Sequence, residues 1–458
     1  MLLLYLKIVK YTKPRNKNNT FALHLEKKEI RTKMRYRKFL TVLLLCITIA
    51  SYAQQKARWI GTWACAQQPV DKHFMPYNNQ MTNRSVRQIV KVSIGGRLIR
   101  LLLSNELSAE PLEITSIYVA KAKEEYKIEP LTARYFSFHG KKGVHIAAGR
   151  AIFTDALKFD LKPLEKLSIT INYRKAPKSP TVHMGSRTTS YILKGTSNPM
   201  TNFASALKEN HWFNISSIEV YDKDVAAIAI LGNSITDGKG STINAQDRWP
   251  DRMSETLNNT KEYNLLKSGR MGILNLGIGN NRILSVGLGI PGKDRFNRDI
   301  LTQHGLSSVI IFEAINDIGT SKNPEETAQL LIREYEKMII KVHERGLKVY
   351  GGTITPFKGC KGYYTEEREK CRKTVNEWIR SSGKYDGIID FDQLLCDPAS
   401  PEQLRKDLHI GDWLHPNAAG YKLMGEYAAK KILQFEENKK TEVTHIKKIK
   451  DKPLLSNR

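Results

Sequence analysis

Cysteine is scarce in this chain, five among 458 residues, so no dense disulfide scaffold holds it together. The cysteine spacings match no zinc site either. Long apolar runs are missing: the most apolar stretch, Phe39 to Ala50, is shorter than the roughly 20 residues that span a bilayer. Internal repeats are lacking, which excludes solenoids and arrays. Acidic residues are few beside basic ones, 46 against 73, for a formal charge of +27. That excess would suggest a polyanionic partner, but about half of it lies at the two ends. Residues 1–38 carry twelve Lys or Arg against Glu26 and Glu29, and the tail from Glu436 carries seven against four. The remainder is spread out without blocks of like charge, so a nucleic-acid partner is not expected. With 41% hydrophobic residues the chain can build a core without metals.

What is present begins with a targeting pattern. Arg35, Arg37 and Lys38 precede the apolar stretch, and Ser51-Tyr52-Ala53 offers small residues at a cleavage site. Residues 34–53 therefore read as a secretory signal peptide, with 1–33 an extension ahead of the true start and no stable membrane insertion after cleavage. Secretion or a periplasmic location is the expectation. Cys46 invites a lipoprotein reading, but Leu45 stands where a small residue belongs. Export leaves Cys65, Cys360, Cys371 and Cys396 in an oxidising compartment. Cys360 and Cys371, eleven apart across a Gly-Tyr-Tyr loop, are the natural local disulfide; Cys65 and Cys396 read as buried thiols.

Two grammars follow. Residues 57–220 read as strands and turns: Ser85–Ser93, Arg97–Leu103, Leu112–Ala120, Leu167–Tyr173 and Ile215–Tyr221, with Gly95-Gly96 as a hairpin signal. An all-β sandwich of jelly-roll type is expected. Over 221–436, short apolar runs (Val225–Leu231, Ile273–Leu276, Ser308–Phe312, Val349–Ile354, Gly387–Phe391) alternate with amphipathic stretches (Thr327–Arg345, Glu366–Ser382, Ala418–Phe435). Buried strands alternating with helices predict a parallel sheet covered on both faces. Residues 437–458 read as a disordered basic tail.

In such folds the working residues lie at the carboxyl ends of strands. The first strand ends in Gly232-Asn233-Ser234-Ile235-Thr236-Asp237-Gly238, which presents a serine on a Gly-rich turn with N–H groups around it. Alone, this is as well read as a polar strand-to-helix turn. Asp412-Trp413-Leu414-His415-Pro416 sets a carboxylate three residues before an imidazole, where it can fix the tautomer and leave the other ring nitrogen to take a serine proton. Alone, the pair could equally cap a helix. Glu313-Ala314-Ile315-Asn316-Asp317 follows a buried strand, and the Asn316 amide there can donate to an oxyanion or merely form a turn. Asn275-Leu276-Gly277-Ile278-Gly279-Asn280-Asn281 can expose one further backbone N–H.

These four blocks, in this order over 225–435, resemble the SGNH (GDSL-type) serine hydrolases. The resemblance implies a flavodoxin-like three-layer αβα domain with Ser234 as nucleophile and Asp412 and His415 completing the triad. It further implies an oxyanion hole from the Ser234 N–H, the Asn280 N–H and the Asn316 side chain, with no metal or cofactor. Asn280 departs from the pattern, standing where the family has glycine, and Ala314 replaces a common glycine, a milder change; Asn233 stands where many members have Asp, a variant that also fits. Asn tolerates positive φ better than most residues, so the donor can survive. The β half looks like the accessory domain of secreted bacterial esterases of this class.

The implied activity is hydrolysis of short acyl esters, acetyl above all, on a plant polysaccharide. A lysophospholipase or general short-chain esterase is the enzymatic alternative, and a catalytically weak carbohydrate-binding protein the alternative of another class. Thr355-Pro356-Phe357 and Tyr363-Tyr364 could line the acyl or sugar pocket or simply pack. Trp63, His183 and Arg187 read as structural.

Overall fold

The computed structural model describes residues 57–70, 75, 80–259 and 270–450, without the side chains of 259 and 438–450. The expected extension (1–33), signal peptide (34–53) and residues 451–458 lie outside the described residues. Everything described belongs to one compact unit.

The first half is antiparallel throughout. One sheet runs, in spatial order, Arg58–Ala64, Ile215–Asp222, Gly96–Ser104 and Ala151–Phe153, with Leu157–Leu161 also on the third strand. The second runs Leu207–Glu209, Ser190–Lys194, Arg84–Lys91, Lys166–Lys175, Leu112–Lys121 and Arg134–Tyr135. A small third sheet joins Trp212–Phe213, Thr181–His183 and Gln68–Pro69. Period-two alternation explains the packing: in Gly96–Ser104, Ile99, Leu101 and Leu103 are buried while Leu98, Arg100 and Leu102 are partly exposed.

The hairpin read from Gly95-Gly96 does not form. Arg84–Lys91 and Gly96–Ser104 belong to different sheets, so the connection passes from one sheet to the other instead of folding back within one. The glycines answer to packing: a Cβ on Gly95 would lie 2.3 Å from the Leu161 carbonyl oxygen, and one on Gly96 2.9 Å from Val220 Cβ.

The second half contains the parallel sheet: β1 (Ala226–Gly232), β2 (Met271–Gly277), β3 (Leu306–Phe312), β4 (Lys348–Gly352) and β5 (Gly387–Ile389). Its order is β2-β1-β3-β4-β5, all pairs parallel. This is the flavodoxin-like winding, which opens a crevice where the order reverses between β1 and β3. Besides two short helical turns, Gly292–Arg295 and Phe391–Leu395, the α-helices are α1 (Ser234–Asp237), α2 (Trp249–Asn259), α3 (Ile315–Gly319), α4 (Pro324–His343), α5 (Glu366–Ser381) and α6 (Ala418–Lys450). α2 packs with α6 and α4 with α5. α4 starts on an Asn323 cap with Pro324 at its first position and buries Leu331, Tyr335, Met338, Ile339 and Val342 along one stripe. α6 continues as helix through the residues expected to be a disordered tail, as far as Lys450. No helix among the described residues is long and apolar enough to cross a membrane.

The β half covers the open edge of the parallel sheet. The Ile273 N–H of β2 donates to Ser93 Oγ at 2.9 Å, and the backbones at Gly61 and Gly272 approach so closely that a Cβ on Gly272 would lie 2.0 Å from the Gly61 oxygen. Nearby, buried Glu219 receives Arg100 at 2.6 Å and His304 Nδ1 at 2.7 Å, tying both halves together.

The expected Cys360–Cys371 disulfide is absent. Both residues are buried free thiols, as is Cys65, and Cys396 is a partly exposed one. Burial pushes Cys371 up to about 12, so it stays a neutral, unreactive thiol packed as a small apolar group.

Candidate active site

Ser234 is the first residue of α1, directly after β1. The Asn233 side chain accepts from the Ile235 N–H at 3.0 Å, and its carbonyl accepts from Thr236 and Asp237 N–H at 3.0 and 2.8 Å. Gly232 is required because a Cβ there would lie 2.2 Å from Thr236 Oγ1, and Gly238 ends the turn at φ +101°. Beneath it, fully buried Arg295 donates to the Gly232 carbonyl at 3.1 Å and the Leu276 carbonyl at 2.8 Å, fixing the ends of β1 and β2 together.

The loop before α6 brings in the distant pair. Ser234 Oγ is 2.8 Å from His415 Nε2, and His415 Nδ1 is 2.6 Å from Asp412 Oδ2. Asp412 Oδ1 accepts from the Leu414 and His415 N–H at 3.0 and 2.9 Å. Partial burial would raise the Asp412 carboxyl, but the hydrogen bonds from the His415 side chain and backbone outweigh it and hold the group well below the usual carboxylate range. A charged Asp412 keeps the proton on Nδ1, which leaves Nε2 to accept from the serine hydroxyl. Trp413, at φ +59°, packs its ring tilted against that of His409 with centroids 4.5 Å apart, and His409 Nδ1 accepts from the Gly411 and Trp413 N–H.

The donors expected for an oxyanion converge on the same place. Asn280 adopts φ +51°, the left-handed conformation anticipated where glycine was expected. Among the described residues none accepts from its N–H. Asn316 sits in α3 with its amide fixed at both ends: Oδ1 accepts from Tyr363 Oη at 2.9 Å and Nδ2 donates to the Asn281 carbonyl at 2.8 Å. Its second N–H remains for the cleft. Gly319 makes room for this arrangement, since a Cβ there would lie 2.1 Å from the Tyr363 ring. Ser234, Asn280, Asn316, Tyr363 and His415 line one cleft of about 470 Å³, with Asp412 behind His415.

Of the expected pocket aromatics only Tyr363 reaches the cleft. Phe357 is fully buried against Tyr364 (centroids 5.7 Å apart), and Tyr364 turns its hydroxyl to Glu402. Two residues read as structural belong to the site instead. His183 Nε2 lies 2.9 Å from Asp237 Oδ1, and Arg187 Nη2 lies 3.5 Å from Asp237 Oδ2. Gln68, Met184 and Arg187 therefore bring the β half into the cleft wall. The available signal was an ionisable residue, His183, between Val182 and Met184 in a short segment. Trp63 is structural as expected, buried edge-on to Trp212 at 5.0 Å.

A serine hydroxyl in line with an imidazole and a carboxylate, on a strand-to-helix turn of a doubly wound sheet, defines a serine hydrolase arrangement. Residues 230–423 match the model of the GDSL-like lipase/acylhydrolase family, and this stretch is a carboxylic ester hydrolase domain of that family. No curated protein matches the chain. Among solved structures it is similar to a lipase/acylhydrolase from Enterococcus faecalis (20% identity over 45% of this chain and 95% of that one, TM-score 0.36). It is also similar to a carbohydrate acetylesterase from Sinorhizobium meliloti (15% identity, 46% and 99%, TM-score 0.35). A GDSL-like lipase from Bacteroides thetaiotaomicron is a third (17%, 46% and 88%, TM-score 0.33).

Beneath the site, Asp317 accepts from the Ile283 and Leu284 N–H, both at 2.9 Å, and so anchors the loop that carries Asn280. Burial, against these two bonds, raises its carboxyl from 3.8 to about 6. Between those values the folded chain binds a proton that the unfolded chain has released, so this group lowers stability as pH rises through the window. Stability measured by urea unfolding at pH 4.5 and 7 should therefore fall less for Asp317→Asn than for wild type. Parallel changes in the two proteins would refute the assignment.

Proposed function

We propose that the chain is a secreted serine esterase that removes short acyl groups, acetyl above all, from a polysaccharide through a serine-acyl intermediate. The observation that carries this reading is the unbroken Ser234–His415–Asp412 chain, with contacts of 2.8 and 2.6 Å, opening on the cleft. His415 Nε2 takes the Ser234 proton as Oγ attacks the ester carbonyl, and Asp412 stabilises the imidazolium. The Ser234 and Asn280 N–H groups and the Asn316 amide meet the oxyanion. His415 then protonates the leaving alcohol and, in the second half, activates the water that releases the acid.

The cleft supports a short acyl chain on a polar alcohol. Met184, Leu288 and Leu414 supply a small aliphatic surface, while Gln68, Arg187, Lys239 and Asn280 supply polar groups. Export is supported by the Met34–Ala53 pattern, and Edman sequencing of the mature protein should begin just after Ala53. An intact Met34 or Met1 in the exported fraction would exclude that cleavage.

Hydrolysis of p-nitrophenyl acetate should exceed that of long-chain esters and fall by at least about 10³-fold in Ser234→Ala. Activity that survives in that variant would remove the mechanism. Tyr363→Phe removes one of the two bonds that fix the Asn316 amide, so kcat should fall about tenfold with KM little changed, a fraction of what losing an oxyanion donor costs. An effect confined to KM would reassign Tyr363 to substrate binding.

A further inference from the structure

The segment of the β half that reaches the cleft carries an arginine in an unusual state. Arg187 has φ +51°, a left-handed backbone that an unbranched charged residue adopts only when its surroundings impose it. They do: Ser186 and Thr188 exchange side-chain hydrogen bonds with each other's carbonyls (Ser186 Oγ to Thr188 O at 2.6 Å, Thr188 Oγ1 to Ser186 O at 3.1 Å). The Asn244 N–H donates to the Arg187 carbonyl at 2.9 Å. The backbone is thus held to aim this one side chain.

The guanidinium is underused where it arrives. Its Nε is buried with no partner among the described residues, and Nη2 reaches Asp237 only at 3.5 Å. Asp237 is engaged by His183 at 2.9 Å and by Arg187 at 3.5 Å, and its side chain is 1% exposed where that of Arg187 is 25% exposed. Asp237 is the single acidic residue in the cleft wall. Lys239 lines the same cleft, exposed and in no ion pair among the described residues. The exposed charge beside Ser234 is therefore cationic, carried by Lys239 and by the Arg187 side chain that covers Asp237.

We propose that Arg187, assisted by Lys239, forms a carboxylate subsite, so that the preferred ester carries an acid group within reach of the scissile bond. This rests on the esterase reading above and narrows its substrate class. A planar carboxylate suits the arginine fork, whose charge and geometry favour paired N–H···O bonds over a single point contact. The carboxylate can lie on the alcohol, as in a uronic-acid residue bearing the acyl group, or on the acyl chain, as in a hemiester of a dicarboxylic acid.

Two matched substrate pairs separate these sources. The alcohol-side pair is the mono-O-acetyl derivatives of methyl galacturonide and methyl galactoside. The acyl-side pair is 4-nitrophenyl hemisuccinate and 4-nitrophenyl butyrate. In one pair the wild-type protein should prefer the acidic member by about tenfold or more in kcat/KM, with the preference shrinking as salt is added. Arg187→Met should collapse that ratio toward one, and Arg187→Lys should keep part of it, since a point charge replaces a fork. Because each ratio is internal to one protein, a general loss of activity divides out. A wild-type ratio at or below one in both pairs, or a ratio that Arg187→Met leaves unaltered, overturns the subsite. If the wild type cleaves none of the four esters, the esterase reading fails by itself. Calorimetric binding of methyl galacturonide and of monomethyl succinate then decides the subsite: binding lost in Arg187→Met sustains it, and no binding of either overturns it.

Discussion

Asp237 is the hinge of the molecule. It ends the four-residue helix that begins with Ser234, and its carboxylate is buried against His183 from the β half. Gly185 lies so close that a Cβ there would sit 1.9 Å from Asp237 Oδ2. The nucleophile turn is therefore gripped from two directions, by the Arg295 guanidinium underneath and by the β half alongside. A buried carboxylate is tolerated only when it is paired and hydrogen-bonded, so loss of the β-half partner would leave an uncompensated charge at the root of the site. The β half is for this reason part of the catalytic framework and not an appendage.

The residue before the serine shows how the site is tuned by neighbours that no local pattern reveals. The Asn233 amide donates to Glu313 Oε1 at 3.1 Å, which also accepts from the Ala314 N–H. Complete burial, and then the nearby Asp317, push the Glu313 carboxyl well above its ordinary value. A second acid at position 233 would set two carboxyl groups against each other in a dry pocket, whereas the amide supplies a donor. Asn233 thus departs from the common family residue in a way that the glutamate at the end of β3 makes chemically consistent.

Much of the catalytic half was legible because its information is local. Each parallel strand reads as a short apolar run, the blocks of Ser234, Asn280 and Asn316 follow β1, β2 and β3, and the Asp412–His415 pair stands just before α6; the order of the four blocks then carried the resemblance that implied their roles. The β half was less transparent. Gly95 and Gly96 carry a hairpin signature, but their close contacts are with Leu161 and Val220, and sequence alone does not distinguish a turn that folds back from one that passes to another sheet. Arg187 and His183 lie about fifty residues from Asp237, in a stretch without periodicity, and acquire meaning only when the two halves are packed. Cys360 and Cys371 illustrate the opposite error: a short separation in an expected oxidising setting suggested a bond, while both side chains are spent on core packing.

The pairing of Arg58–Ala64 with Ile215–Asp222 has a consequence for the order of events as the chain appears. The first described strand has no place to go until a strand more than 150 residues later has emerged, and its Gly61 then waits for Gly272 of the parallel sheet. Contacts so distant in sequence are slow to form and keep early segments open in the meantime. The fold is closed by its beginning, so a chain emerging from its N-terminus stays unlocked for more than half its length and sets into one body late.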